Sequence, residues 1–332
     1  MEDLLKSEEY EVNLDRDYAY NKFSDEKYVD GINLSMRKLI INGNNHVIDA
    51  SNTTVFSLYG TYLELNNLTI KNANKAISGS YSNVTTNNVI FMNNINKESG
   101  GAIKLLYSEY RSNNDTFKDN YAPNGAAIYS IGTTLNIFNS SFTSDKELKR
   151  GFIYIKDSSI NMDNALFMDT VSNYSTALYG SNSSGCIVNS RFINLKSLIS
   201  AGAISFRYVN STILFDNCTF INVTSKKNAG AVFIDVDEGN LIENKTFMDG
   251  FVVINNSLFN DCNSDYGGAI IQLGGTLYVD KTLFNNNYAN YDGGAIYTSN
   301  CNLSINNSLF EDNTANMNNR DMVVPYILII KI

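Results

Sequence analysis

The sequence is poor in the residues that build disulfide frameworks, metal sites and kinked helices. Its 332 residues include four cysteines, two prolines, one histidine and no tryptophan. Four cysteines in a chain of this length do not make a disulfide framework, so we expect free thiols. Because His46 is the only histidine and no Cys-x-x-Cys pair occurs, the sequence predicts no histidine-based or zinc-ribbon metal site and no cofactor.

Long apolar runs and basic clusters are also missing. No run reaches the roughly 18 residues that a membrane span needs, and residues 1–6 lack the basic start of a secretory signal. The formal net charge of −9 repels phosphate backbones, so nucleic-acid binding is not predicted. Asparagine, in contrast, is abundant: its 51 residues disfavour helix and favour turns and stacked ladders.

Two markers recur along the chain with a shared period of about 25 residues. The first is the Ile-type residue of a motif close to Gly-Gly-Ala-Ile-Tyr, found at Ile77, Ile103, Ile128, Ile153, Leu178, Ile204, Val232, Ile270 and Ile296. The second is a phenylalanine, found at Phe91, Phe117, Phe142, Phe167, Phe192, Phe220, Phe259, Phe284 and Phe310. Since two independent markers keep the same period, the sequence predicts a solenoid.

The alternation of side chains within each repeat predicts short strands. The positions seven and five residues before the phenylalanine are mostly apolar, and they point inward with it because successive strand residues face opposite sides. The Gly-Gly-Ala-Ile strand then closes the coil. We therefore predict an all-β, right-handed parallel β-helix of 10–11 coils with three short strands per coil. A leucine-rich-repeat horseshoe has a similar period, but the L-x-x-L-x-L pattern and a helical half are missing.

Asparagine recurs three residues before the phenylalanine in almost every coil. Asparagine tolerates the left-handed backbone of a sharp bend, and identical amides one coil apart can bond to each other. Lys281 is the exception. The sequence predicts a structural ladder of Asn67, Asn88, Asn114, Asn139, Asn164, Asn189, Asn217, Asn256 and Asn307.

The two ends depart from the period. Residues 1–35 lie outside it and are predicted to cap the first coil, since open strand edges recruit other chains. Residues 36–332 form the predicted β-helix, which ends in mid-coil at the inward positions Leu328, Ile330 and Ile332. This ending indicates either a fragment of a longer rod or an exposed end that continues the β-helix end to end with a partner.

A column of aromatic residues is predicted on the outer face of the Gly-Gly-Ala-Ile strands. Exposed rings about 5 Å apart can stack on sugars or anchor a protein partner. The alternative interpretation is a ladder that stiffens the sheet, or rings covered by neighbouring loops. The candidate binding residues are Tyr129, Tyr154, Tyr179, Phe233 and Tyr297.

Charged residues near the longest step between repeats form a second candidate site. Arg207 and Asp235 are predicted to face each other on adjacent coils, and about thirteen extra residues follow, beginning with Asp237 and Glu238. Polysaccharide lyases and glycoside hydrolases on this fold use such groups, so a carbohydrate-active enzyme is the alternative function. The other interpretation is a surface ion pair. Calcium binding by Asp235, Asp237 and Glu238 is a third possibility, although the sequence contains neither an EF-hand loop nor a glycine-rich nonapeptide repeat.

Several motifs resemble known repeat families. Residues 267–270 and 293–297 carry Gly-Gly-Ala-Ile, and residues 284–287 and 310–313 carry Phe-x-x-Asn; both resemble the repeats of polymorphic outer-membrane-type proteins. Residues 14–18 and 40–49 are similar to the first coil of adhesin-like proteins of methanogenic archaea. The resemblance implies an extracellular or cell-surface β-helix that attaches to a surface glycan or protein of another cell or host, without established catalytic residues.

Overall fold

The computed structural model describes residues 10–236 and 250–316, and the chain divides into two compact units at Ser159 and Ile160. Each unit is a parallel β-solenoid with three sheets, here called A, B and C in the order in which their first strands occur. Sheet A has six strands in each unit, so the described residues hold about twelve coils rather than the predicted 10–11. The predicted parallel β-helix is confirmed. Asp237, Glu238 and the predicted mid-coil end lie outside the described residues.

The first unit contains the short 3-10 helix Glu26–Tyr28 and six strands in each sheet. The strands of sheet A are Glu11–Asn13, Lys38–Asn42, Tyr62–Asn66, Asn83–Asn87, Glu109–Asn113 and Thr134–Phe138. Those of sheet B are Tyr18–Ala19, Val47–Asp49, Thr69–Lys71, Ile90–Met92, Thr116–Lys118 and Ser141–Thr143, and the short strand Leu148–Arg150 also belongs to this sheet. Those of sheet C are Ile32–Ser35, Thr54–Tyr59, Lys75–Ser80, Ile103–Leu106, Ile128–Ile131 and Ile153–Lys156. Residues 11–35, assigned to a cap from the sequence, thus supply the first strand of each sheet.

The second unit repeats this arrangement. Its sheet A strands are Ser159–Asp163, Ser184–Val188, Thr212–Asp216, Phe251–Asn255, Thr276–Asp280 and Asn302–Asn306. Its sheet B strands are Leu166–Tyr174, Arg191–Ser200, Thr219–Ser225, Leu258–Asn260, Leu283–Asn285 and Leu309–Glu311, extended by Asn263–Tyr266, Tyr288–Asp292 and Thr314–Ala315. Its sheet C strands are Leu178–Ser181, Ile204–Arg207, Val232–Asp235, Ile270–Leu273 and Ile296–Ser299.

The phenylalanines of sheet B form the centre of the core. In the first unit Phe91, Phe117 and Phe142 are in register and fully buried, with ring centroids 5.0 and 4.7 Å apart. In the second unit the column runs from Phe167 to Phe310 with neighbouring centroids 4.6–5.3 Å apart. Parallel strands about 4.8 Å apart impose this spacing, so equivalent side chains stack whenever they point inward.

The corner between sheets A and B is where the asparagine positions lie. Every predicted ladder asparagine has a left-handed backbone, with φ between 46° and 55°. Asn114 Nδ2 donates to Asn88 Oδ1 at 2.6 Å, and Asn88 Nδ2 donates to Asn67 Oδ1 at 3.0 Å. In the second unit the acceptor for Asn256 and Asn307 is instead a neighbouring aspartate. The amide therefore both tolerates the bend and links successive coils.

The asparagine of the Phe-x-x-Asn motif has a different role from these corner residues. Asn120 is buried, and its Nδ2 donates to the carbonyl of Phe91 at 2.9 Å. Its Oδ1 accepts from the backbone N–H of Asn94 at 3.1 Å. Asn287 and Asn313 repeat this pairing in the second unit. A side-chain amide thus satisfies backbone groups at the turn that follows the phenylalanine.

Replacing Gly230 with alanine tests the close approach of coils at the Gly-Gly-Ala-Ile strand. A Cβ at Gly230 would lie 1.8 Å from the carbonyl oxygen of Gly268 in the next coil. Because backbone atoms on both sides are held by the sheets, we expect a loss of about 2 kcal/mol in the free energy of unfolding, measured by urea denaturation.

Gly79 is the matched control for this change. Its added Cβ would meet only side-chain atoms of Leu58 and Leu105, at 3.1 Å. We expect Gly79→Ala to change stability by less than about 1 kcal/mol, since those side chains can adjust. Equal effects of the two substitutions would show that coil spacing at Gly230 is not limited by the backbone.

Candidate binding surface

The predicted aromatic column on sheet C is only half exposed in the first unit. Tyr129 and Tyr154 are partly buried and stack on each other, with centroids 5.1 Å apart and planes 13° from parallel. Lys104 Nζ lies 5.9 Å from the Tyr129 ring, and the Arg150 guanidinium lies 5.9 Å from the Tyr154 ring. Burial, and then the neighbouring Tyr154, raise the pKa of Tyr129. The ring faces therefore mainly contact the protein itself.

In the second unit the prediction of an exposed column is wrong at Phe233. This side chain is only 5% exposed and packs in a buried cluster with Ala201, Ala229 and Ile271. The Arg207 guanidinium lies over its ring at 5.3 Å. Ala201 and Ala229 each lie just before a strand of sheet C, and they pack against Phe233. This agrees with the alternative interpretation, in which neighbouring residues cover the rings. Tyr179 and Tyr297 are half-buried, and Tyr297 packs against this cluster.

The charged pair is also less exposed than the sequence suggested. Arg207 and Asp235 are register partners on adjacent sheet C strands, and the Asp235 side chain is 6% exposed. The Arg207 guanidinium lies over the ring of Phe233, so its charge contacts the buried cluster that contains this ring. Among residues 10–236 and 250–316, no group of three or more His, Cys, Asp and Glu side chains is placed to hold a metal ion. The same residues contain no helix long and apolar enough to span a bilayer.

A more exposed group of stacked aromatic rings lies along the corner between sheets C and A of the first unit. Tyr59, Tyr81 and Tyr107 are 54%, 60% and 56% exposed. The rings of Tyr81 and Tyr107 are stacked with centroids 5.5 Å apart, and Tyr59 meets Tyr81 edge to face at 5.9 Å. We call these three residues the tyrosine ridge. Sequence reasoning missed it.

Two residues of the tyrosine ridge have an energetically unfavourable backbone conformation. Tyr81 and Tyr107 have φ of 52° and 50°, in the left-handed region that disfavours residues with a Cβ by roughly 1–2 kcal/mol. Glycine occupies the same corner in neighbouring coils, at Gly60 and Gly132. The sequence signal was a tyrosine four residues after the Ile marker, a position where Gly132, Asp157, Asn182, Gly274 and Asn300 stand in other coils and which Tyr208 repeats in the second unit.

Gly132 also makes room for the last ring of the tyrosine ridge. A Cβ at Gly132 would lie 2.6 Å from Cδ1 of Tyr107, so the ring lies directly over the next coil. Paired strands of sheets C and A on the two sides of the corner fix the spacing of these rings. The ridge is therefore a rigid aromatic surface with three hydroxyl groups, suited to a partner that has both apolar and hydrogen-bonding groups.

Residues 281–299 match the Chlamydia polymorphic membrane protein (Chlamydia_PMP) repeat. These residues include the motifs at 284–287 and 293–297, so the resemblance to polymorphic-membrane-protein repeats is confirmed there. The resemblance to archaeal adhesin-like proteins stays a prediction.

One curated protein and two solved structures are similar over most of the chain. The sequence is 27% identical over 307 residues to metabotropic glutamate receptor-like protein R of Dictyostelium discoideum, covering 82% of this chain and 19% of that protein. PfbA, a surface adhesin of Streptococcus pneumoniae, aligns with a TM-score of 0.48 and 12% identity over 94% of this chain and 86% of its own. The GH136 lacto-N-biosidase of Eubacterium ramulus aligns with a TM-score of 0.26 and 10% identity, over 92% and 62%.

Proposed function

We propose that this chain is a non-catalytic, cell-surface attachment module that binds a glycan or protein partner through the tyrosine ridge. The observation that carries the proposal is the exposure of Tyr59, Tyr81 and Tyr107, each more than half accessible. Aromatic side chains of this kind are enriched where proteins meet partners, because they supply large contact area at low entropic cost. The surface location rests on the polymorphic-membrane-protein repeat at residues 281–299.

Backbone strain at the ridge supports a binding role over a structural one. Tyr81 and Tyr107 would be relieved of strain by glycine or asparagine, and Asn182 occupies the same corner in the second unit with φ of 47°. Residues held in unfavourable backbone regions cluster at binding sites, where selection for contact outweighs the cost in stability.

The triple variant Tyr59→Ser, Tyr81→Asn, Tyr107→Asn tests this function. We expect stability to be unchanged or higher by about 1 kcal/mol, because asparagine tolerates the left-handed corner. We expect binding to fall at least roughly ten-fold, as for the loss of central aromatic anchors. The measurements are thermal unfolding and binding to a glycan array and to a panel of extracellular matrix proteins.

Tyr208→Asn is the matched control, since Tyr208 is an exposed tyrosine at the same corner of the second unit with φ of 57°. It should leave binding intact. Equal binding by the wild type and the triple variant would show that the tyrosine ridge is not the binding site. If only a Tyr129→Ser, Tyr154→Ser variant lost binding, the binding site would lie on sheet C. New reducing ends or unsaturated products from pectin or alginate would favour the carbohydrate-active enzyme instead.

A further inference from the structure

The strands of sheet C in the first unit carry positive charge only. These six strands contain Lys75, Lys104 and Lys156 and no aspartate or glutamate. The whole chain, in contrast, has 34 acidic and 25 basic side chains. This sheet is therefore a local positive surface on an acidic protein, and it can attract an anionic partner that the rest of the surface repels.

Two of these lysines lie in line with tyrosines on the outer side of the sheet. Lys104 is in register with Tyr129, and Tyr129 is in register with Tyr154. Ile155 is fully buried, so Tyr154 and Lys156 on either side of it point outward. Coils lie about 4.8 Å apart, so Lys104 and Lys156, two coils apart, are separated by about 10 Å along the axis of the unit.

Lys75 adds a second positive charge near Lys104. Burial, and then the ammonium group of Lys104, lower the pKa of Lys75. Glu98 and Asp30 act in the opposite direction, but each has a smaller effect than Lys104. Two like charges that lie near each other are unfavourable, so an anion bound beside both ammonium groups would relieve their repulsion.

The stacked rings of Tyr129 and Tyr154 each have a cation beside them. Lys104 Nζ lies 5.9 Å from the centroid of the Tyr129 ring, and the Arg150 guanidinium lies 5.9 Å from that of Tyr154. Arg150 Nη1 also donates to Asn124 Oδ1 at 3.2 Å. Cations held by such contacts lose less freedom when a ligand binds than mobile side chains do. The partly exposed rings add apolar surface on which the C–H groups of a sugar can pack.

We propose that this surface binds a glycan that contains uronate groups. We call it the basic face, and it consists of Lys75, Lys104, Tyr129, Arg150, Tyr154 and Lys156. The uronate carboxylates would accept charge-assisted hydrogen bonds from the ammonium and guanidinium groups, and the sugar rings would contact the tyrosines. The basic face shares no residue with the tyrosine ridge, so the proposal adds a second binding surface to the proposed function.

Two other classes of anion fit the basic face less well. Double-stranded DNA carries one charge about every 1.7 Å, a denser array than cations placed on coils about 4.8 Å apart. An acidic peptide would have to order flexible side chains, which costs conformational entropy. A uronate carboxylate is fixed on its sugar ring and avoids most of this cost.

The test uses the full chain with five separate probes in calorimetric titration: a hyaluronan oligosaccharide, an oligogalacturonate, a chitin oligosaccharide, an oligoglutamate and an oligonucleotide. At least one of the two uronate glycans should bind roughly ten-fold more tightly than each of the other three probes. Raising the salt concentration from about 50 mM to about 200 mM should weaken this binding, because ions screen the attraction.

The double variant Lys75→Gln, Lys104→Gln removes two charges from the basic face and should weaken uronate binding at least roughly ten-fold. Lys104→Arg keeps the charge and should retain binding. The matched control is Lys118→Gln, Lys196→Gln, which changes the net charge equally at two exposed lysines of sheet B and should leave affinity unchanged. Thermal unfolding of each variant shows that it is folded.

The triple ridge variant should bind the uronate glycan as the wild type does, which separates this proposal from the proposed function. Failure of both uronate glycans to bind would overturn the inference. So would equally tight binding of the chitin oligosaccharide, the oligoglutamate or the oligonucleotide, or an equal loss of affinity in the matched control or in the triple ridge variant.

Discussion

Replacing Phe220 with alanine is expected to lower the free energy of unfolding by about 4 kcal/mol, the cost of removing a large buried aromatic side chain. Phe220 is fully buried, and its ring centroid lies 4.6 Å from those of both Phe192 and Phe259. Phe215 meets its edge at 6.3 Å. The loss therefore includes two stacking contacts as well as the transfer of the ring from water.

The cavity left by this substitution has little room to collapse. The rings above and below are held by strands that pair in register, with Phe192 opposite Phe220 and Phe220 opposite Phe259. Rings fixed in this way cannot close the gap without breaking backbone hydrogen bonds, so the cost belongs in the upper half of the observed range. The measurement is the midpoint of urea denaturation for each variant. A lower midpoint with an unchanged m-value reports a loss of stability.

Phe251→Ala is the control, because Phe251 lies on a strand of the same unit and is 40% exposed. Its loss should stay near 1 kcal/mol, in proportion to the smaller apolar area buried. If Phe220→Ala cost no more than this control, the phenylalanine column would not be the main source of stability in the second unit.

The inward columns could be predicted from the sequence because they depend on two local rules. Side chains alternate along a strand, and parallel strands repeat every coil at a constant spacing. Given the period, both rules place Phe117 and Phe220 inside without any knowledge of the loops. The left-handed corner at Asn114 followed in the same way, since few residues other than glycine and asparagine tolerate it.

The surface was harder to predict because it depends on segments that do not follow the period. Phe233 is covered by Ala201 and Ala229, which precede sheet C, and nothing in the alternation of the strand indicates that cover. Tyr81 and Tyr107 escaped notice for the opposite reason, since the intrinsic preference of tyrosine argues against a left-handed corner. The candidate binding surface in the structure is therefore the corner between sheets C and A, whereas the sequence placed it on the outer face of sheet C. The predicted fold is unaffected by this difference.

Asp115 is a further residue that the period did not predict, and replacing it should have the second large effect on stability. It occupies the position two residues before Phe117, where most coils have a small residue, and it is almost completely buried. Its Oδ1 accepts from the backbone N–H of Val89 at 2.8 Å. Its Oδ2 accepts from the hydroxyls of Thr86 and Ser112. A carboxyl group thus occupies a buried position inside the first unit that is filled by a small side chain in most other coils.

Burial dominates the ionisation of this carboxyl group and raises the pKa of Asp115 to about 6, even though the hydroxyls of Ser112 and Thr86 favour the charged form. The folded protein therefore holds this proton to a higher pH than the unfolded chain, whose pKa is near 3.8. Stability contributed by the protonated group is present below about pH 4 and declines as pH rises through 6. The total loss above pH 7 is about 3 kcal/mol, since each pKa unit corresponds to about 1.4 kcal/mol.

The variant Asp115→Asn keeps the shape of the side chain and cannot ionise. We expect the free energy of unfolding of the wild type, relative to this variant, to fall by about 2 kcal/mol between pH 4.5 and pH 7.5. The same comparison with Asp145→Asn should show no such change, because the Asp145 side chain is exposed. Urea denaturation at both pH values measures the difference. If the difference in free energy of unfolding between the wild type and Asp115→Asn were the same at both pH values, the buried carboxyl group would be ionised throughout. Its hydrogen bonds would then stabilise the charged form more than burial penalises it.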